Sequence, residues 1–370
     1  MKDRLHCSDG AQLSRRAFSG ALLWLMSSRP GTAKPVFSRS NMIFARGVNL
    51  PSASFNDEHT PGVYGRDYIY PSAKDLDYYA RKGFAVVRLP YLWERIQHSL
   101  FEPLDVAELD RIKKVIAAAR ALKMQVILSP HNFGRYHKDG RPTLIGTEDV
   151  PVSSFADFSS KIAAAFAGDD SIYGLSLMNE PHDSQGLWKR TAQAGLDAIR
   201  RIDPTRMVLA PGDHWSSAYS WREYNDDFLL RDPSSRVMYE AHQYFDADRT
   251  GTYKVDYDLS GASASRGVEW ISPFVHWLKR HRQKGIITEF GVPGSDPRWG
   301  ILLQRLLAYL AQEQIPWTYW AGGPWLANYR LSIEPKNGAD VSTMTVLTEN
   351  YGMLRPKRRP QPRKAEVQPL

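Results

Sequence analysis

Residues 172–202 read IYGLSLMNEPHDSQGLWKRTAQAGLDAIRRI. A short apolar run over Ile172–Met178 stops at Asn179-Glu180-Pro181, and a helix-period segment over Thr191–Ile202 follows. A buried strand that ends in polar residues and is followed by an amphipathic helix is one βα unit of a parallel sheet.

The same unit recurs on both sides. Apolar runs lie at Ile43–Leu50, Phe84–Leu89, Met124–Ser129, Ile172–Met178, Met207–Ala210, Val237–Ala241, Gly285–Thr288 and Trp317–Trp320. Between them, Asp105–Leu122 places Leu109, Ile112, Ile116 and Ala119 on one helical face, and Phe155–Phe166, Thr191–Ile202, Val268–Arg282 and Trp299–Gln312 have the same period. Eight units predict a closed (β/α)8 barrel, the TIM barrel, as a single domain of the α/β class. An open doubly wound sheet would carry a Gly-rich turn after its first strand, whereas this chain has Pro51-Ser52-Ala53-Ser54 there. No solenoid-period repeat and no Pro/Ser/Thr linker to a second module is present.

The chain has 370 residues, 42% hydrophobic and 24% charged, the composition of a globular protein rather than a disordered one. Its formal charge of +8 would suggest a nucleic-acid or membrane partner until the charges are located. Residues 1–33 and 355–370 together hold eleven of the 48 Lys and Arg against three of the 40 Asp and Glu, leaving 37 of each for the body. The neutral body implies no nucleic-acid groove, and no stretch reaches the length of a membrane span. Ser14-Arg15-Arg16-Ala17-Phe18, then the apolar run Ala21–Met26 and the small-residue stop Gly31-Thr32-Ala33, resemble a twin-arginine export signal over residues 1–33, which predicts a secreted or periplasmic protein. The only cysteine, Cys7, falls inside that segment, so the mature protein would have no disulfide. The barrel is expected over 34–354 and a basic, Pro-rich, disordered tail over 355–370. A monomer is expected.

Barrel active sites are built at the C-terminal ends of the strands, so polar residues that end apolar runs are the candidates. They are Arg88, His131-Asn132, Asn179-Glu180-Pro181, His242-Gln243-Tyr244, Glu289 and Trp320. Glu180 and Glu289 are 109 positions apart, yet their strands open onto one mouth where two carboxylates can face each other. Glycoside hydrolysis needs such a pair, one carboxylic acid to protonate the leaving oxygen and one carboxylate to attack the anomeric carbon. Glu180 is assigned as acid/base and Glu289 as nucleophile, with Arg88 beside Glu289 to keep it ionised. Asn179 is expected to reach the sugar 2-hydroxyl, Tyr244 to donate to the nucleophile, His242 to orient the acid/base, and Trp320 to floor the sugar beside the cleaved bond. Trp93, Trp215, Trp221 and Trp325 sit near strand ends and are candidates either for a sugar cleft or for packing. With irregularly spaced histidines and no nearby Cys, no metal site is expected; His182-Asp183 reads as loop structure, and Arg280-His281-Arg282 as a solvated helix end.

These residues resemble the invariant set of glycoside hydrolase family 5, the cellulase family of clan A. The resemblance runs from about Arg46 to Pro335. Residues 88–95 (RLPYLWER), 130–136 (PHNFGRY) and 317–325 (WTYWAGGPW) resemble the family's endoglucanase branch. That resemblance implies a retaining endo-β-1,4-glucanase acting on cellulose-like glucan without a cofactor; mannan, mixed-linkage β-glucan, or a non-catalytic glycan-binding barrel are the alternatives. One departure is Leu326, where that branch leads us to expect a second aromatic after Trp325.

Overall fold

In the computed structural model, residues 45–349 are described. The leader expected over 1–33, Cys7, Ile43 and Phe44 of the first apolar run, and the tail expected over 355–370 all lie outside them.

The strands are β1 (Arg46–Asn49), β2 (Val86–Tyr91), β3 (Gln125–Pro130), β4 (Arg135–Lys138), β5 (Arg141–Leu144), β6 (Ile172–Ser176), β7 (Val208–Pro211), β8 (Val237–His242), β9 (Gly285–Glu289) and β10 (Trp317–Tyr319). The helices are α1 (Ala73–Arg81), α2 (Trp93–Ile96), α3 (Val106–Ala121), α4 (Val152–Ala165), α5 (Trp188–Ile202), α6 (Trp221–Tyr224), α7 (Arg266–His281), α8 (Pro297–Gln312) and α9 (Ser342–Glu349). Eight strands close a parallel barrel in the order β1-β10-β9-β8-β7-β6-β3-β2, and these are the eight runs read from the sequence. The chain is a (β/α)8 barrel.

Side-chain caps mark the starts of α1, α3 and α8. The Asp105 side chain accepts from Glu108 N to open α3, and Asp296 accepts from Arg298 N ahead of Pro297 to open α8. Ser72 and Asp75 form a reciprocal capping box at α1. The helices expected at Phe155, Thr191, Val268 and Trp299 begin two or three residues earlier, and of these only α8 starts at a side-chain cap.

The barrel interior is layered. Val86, Ile127, Tyr173, Leu209, Met238 and Ile286 form an apolar plug with Ala45 and Met207. Two residues further along three of these strands, on the same face by the strand period, stand Arg88, Glu240 and Thr288. All three are fully buried. A polar layer therefore rests on the plug, with the strand ends above it.

Candidate active site

Arg88 holds this layer together. Its Nη1 donates to Glu289 Oε1 at 2.6 Å and to Asn49 Oδ1 at 3.0 Å, while Nη2 donates to Asn179 Oδ1 at 2.8 Å and lies 3.2 Å from Glu240 Oε1. One guanidinium thus links β1, β2, β8, β9 and the loop after β6, using the planar fork that makes Arg suited to several acceptors at once.

Glu289 ends β9 immediately after Thr288, and in a regular strand consecutive residues face opposite sides. The β8/β9 register shifts between Ala241 and His242, so that Ala241 pairs with Ile287 but His242 pairs with Glu289. The extra residue is a bulge, which re-aims the side chain that follows it. Thr288 and Glu289 can then both serve the interior. On its other oxygen Glu289 accepts from the Tyr244 hydroxyl at 3.1 Å.

Glu180 has φ +42°, in the left-handed region that non-glycine residues rarely adopt. Its neighbours hold it there. Asn179 N donates to Pro130 O at 2.7 Å, Trp215 N donates to Pro181 O at 3.0 Å, and His182 Nδ1 bonds Glu180 O at 3.1 Å. Backbone strain fixed by surrounding bonds is common where a side chain must be aimed. The aim is toward His242, whose Nδ1 lies 2.7 Å from Glu180 Oε1.

One carboxylate oxygen of Glu180, one of Glu289 and a ring nitrogen of His242 all lie within 4.8 Å of one another. Three such groups could hold a metal ion, but this cluster already has its balancing cations in Arg88 and a protonated His242. Burial alone would make His242 less basic; the charge of Glu289 and the bonds to Glu180 and Glu240 outweigh it and push the pKa up to about 9. Burial raises Glu289 above the ordinary carboxylate value, helped by the charge of Glu180 and opposed by His242 and Arg88. Arg88 therefore contacts Glu289 as expected and pulls its pKa down, although burial outweighs that pull. The buried site costs the carboxylate more hydration than the guanidinium returns.

His131 is half-buried and is kept well below the usual imidazole range by desolvation and by the charges of Arg88 and His242, so it is neutral at neutral pH. Its ring stacks on Trp320 at 5.6 Å and 12°. Asn179 Nδ2 is 3.4 Å from His131 Nε2. Trp320 is part-exposed. Trp325 is 49% exposed and stacks on Phe55 at 6.4 Å.

Three candidates, Trp93, Asn132 and Trp221, do not belong to the mouth. Trp93 is fully buried, stacked on Phe158 at 4.7 Å and edge-on to Tyr136 and Phe155, so it is core rather than sugar platform. Asn132 is spent on structure. Its Oδ1 accepts from Trp93 N at 2.8 Å and its Nδ2 donates to Glu94 at 2.7 Å, which locks the β3 end to α2. Trp221 is likewise packed, against Phe274 and Trp277, whereas Trp215 is 41% exposed and stacks on His182 at 4.5 Å. Leu326 is buried. Asn49, Ser176, Glu240 and Thr288 escaped the sequence reading; Asn49 closes an apolar run, and a period-two count back from His242 would have reached Glu240.

A closed parallel barrel with two glutamates converging at the C-terminal ends of its strands defines a hydrolase that works by paired carboxylates. The comparisons make the class particular. Residues 45–324 match the family described as Cellulase (glycosyl hydrolase family 5), and the chain belongs to glycosyl hydrolase family 5. A probable endo-beta-1,4-glucanase B of Aspergillus oryzae is 30% identical over 326 residues, 86% of this chain and 93% of that protein. Among solved structures, Pseudomonas stutzeri endoglucanase Cel5A in complex with cellobiose is 41% identical with a TM-score of 0.79, covering 82% of this chain and 91% of that one. An endo-beta-1,4-glucanase of Xanthomonas axonopodis pv. citri is 35% identical at a TM-score of 0.77, covering 83% and 98%.

Proposed function

We propose that this chain is a retaining endo-β-1,4-glucanase that cleaves internal bonds of cellulose-like glucans by double displacement, with Glu289 as nucleophile and Glu180 as acid/base. The observation that carries the reading is that one carboxylate oxygen of Glu180 lies within 4.8 Å of one of Glu289. Direct attack needs about 5 to 5.5 Å, whereas an inverting pair stands roughly 6.5 to 9.5 Å apart to admit a water.

In the first step Glu180 gives its proton to the glycosidic oxygen, the bond from the anomeric carbon to that oxygen breaks, and a Glu289 oxygen bonds the same carbon. In the second, Glu180 takes a proton from water as the water oxygen attacks that carbon and displaces Glu289. Arg88 and Tyr244 occupy one oxygen each of the nucleophile and receive its charge when it leaves. Asn179, its Oδ1 taken by Arg88, offers its Nδ2 donors to the 2-hydroxyl. Trp320 and the exposed Trp325 supply flat faces for sugar rings.

Proton NMR of products released from cellopentaose tests the reading. β-Anomer should accumulate first; initial α-anomer, or no new reducing end, overturns it. Faster release from mannan or barley glucan would move the substrate to that polymer.

The Arg15-Arg16 pair supports export in the folded state, a route open to a protein without disulfides, and the exported chain is taken to be a monomer. Replacing both arginines by lysine should leave the enzyme inside the cell, and undiminished export would refute the route. Sedimentation of the mature chain at a dimer mass would refute the monomer.

A further inference from the structure

Beneath the two glutamates lies a third, Glu240, fully buried and outside the chemistry described so far. Its Oε2 accepts from Ser176 Oγ at 2.6 Å; its Oε1 accepts from Thr288 Oγ1 at 2.6 Å and lies 3.2 Å from Arg88 Nη2. Burial raises a carboxylate, but the charges of Arg88 and His242 prevail here and Glu240 stays below its ordinary value, hence ionised. An ionised carboxylate only accepts, so the single hydroxyl proton of Thr288 points at Glu240. Thr288 Oγ1 is also 2.8 Å from His242 Nε2. With its proton committed, the hydroxyl can only accept from that nitrogen. Nε2 therefore carries hydrogen, and the one variable position on the ring is Nδ1, 2.7 Å from Glu180.

We propose that Glu240 is a positioning residue that, through Thr288, fixes the Nε2–H tautomer of His242 and so poises the proton shared between His242 Nδ1 and Glu180. The inference deepens the acid/base assignment above and rests on it. With one proton the pair has two states, Glu180 protonated beside a neutral His242 or Glu180 ionised beside a protonated His242; a second proton fills both sites, and loss of the last proton leaves none for a leaving group. The charge of Glu240, 3.6 Å from Nε2, favours keeping the proton. The other charged or titratable groups facing His242 are Glu289 on β9, Arg88 on β2, Glu180 after β6, His131 at the end of β3 and Tyr244 beyond β8.

The test is the alkaline limb of kcat/KM against pH on cello-oligosaccharides, with the wild-type full chain active as the reference. Glu240→Gln removes the charge and keeps the shape, so the limb should move down by about one pH unit. Thr288→Val should move it the same way, and Thr288→Ser, which keeps the hydroxyl, should return it to the wild-type position. A folded Glu240→Gln enzyme that merely loses rate, with the limb unmoved, overturns the proposal. If that variant does not fold, 15N NMR of the His242 ring in the wild-type chain decides. Nε2 should stay protonated from pH 5 to 9 while Nδ1 titrates, and a ring protonated on Nδ1 alone overturns the assignment. A wild-type enzyme inactive on every glucan would end the glucanase reading, while the tautomer would still be read by NMR.

Discussion

At the residue scale, the proposed reaction asks two identical side chains to meet different surroundings. Glu289 is buried against Arg88 and Tyr244, whereas Glu180 is part-exposed and bonded to His242. Because burial raises Glu289, the proposed nucleophile becomes ionised only above the ordinary carboxylate value of 4.5. The acid limb of kcat/KM should therefore lie above that value. Glu180 contributes to the rise through its own charge, so Glu180→Gln, assayed on an aryl cellobioside whose leaving group needs no acid, should move the acid limb down. A limb at or below 4.5 in the wild type would show that Arg88 outweighs burial, and one unmoved in the variant would show that the charge of Glu180 does not act on Glu289. Arg88, His242 and Glu289 were legible in the sequence because each ends or follows an apolar run. The charge state of Glu289 was not, because it depends on how much water three side chains exclude.

At the element scale, the eight strands could be read because they are buried on both faces and so form mostly apolar runs, even with Arg88, Glu240 and Thr288 inside them. The β4–β5 hairpin was passed over although its signal is present. Asp139 and Gly140 have φ +51° and +74°, the two positive values a two-residue hairpin turn requires, and Asp-Gly is a favoured pair for it. The bulge on β9 left no sequence trace, since a register shift is a property of two strands. Loop packing is just as hidden. Gly251, at φ +76°, lies so close to the Tyr244 ring that an added Cβ would sit 2.8 Å from Tyr244 Cδ1. Gly251→Ala should therefore push the ring off Glu289 and strain the loop by roughly 1–2 kcal/mol. We expect kcat to fall about tenfold with KM little changed and the melting temperature lowered by a few degrees. A variant with wild-type kcat would mean that the loop yields without moving Tyr244.

At the scale of the whole molecule, the barrel packs a charged layer, Arg88, Glu240, His242 and Glu289, on an apolar plug, and that layer makes global stability depend on pH in two separate windows. His242 titrates near 6.5 when unfolded and at about 9 when folded. A raised value of this kind stabilises fully below pH 6.5 and is lost as pH climbs toward 9. Glu240 is lowered instead, so its contribution is present above its unfolded pKa and disappears only as pH falls through the folded value, well outside the first window. Denaturant unfolding of the wild type and of His242→Gln should therefore differ most near pH 6 and converge toward pH 9. The difference between those two pH values should be roughly 3 kcal/mol at most. A gap that stays constant across the range would mean that His242 supports the barrel by shape and hydrogen bonding alone, and that the charge of the polar layer is carried by Arg88.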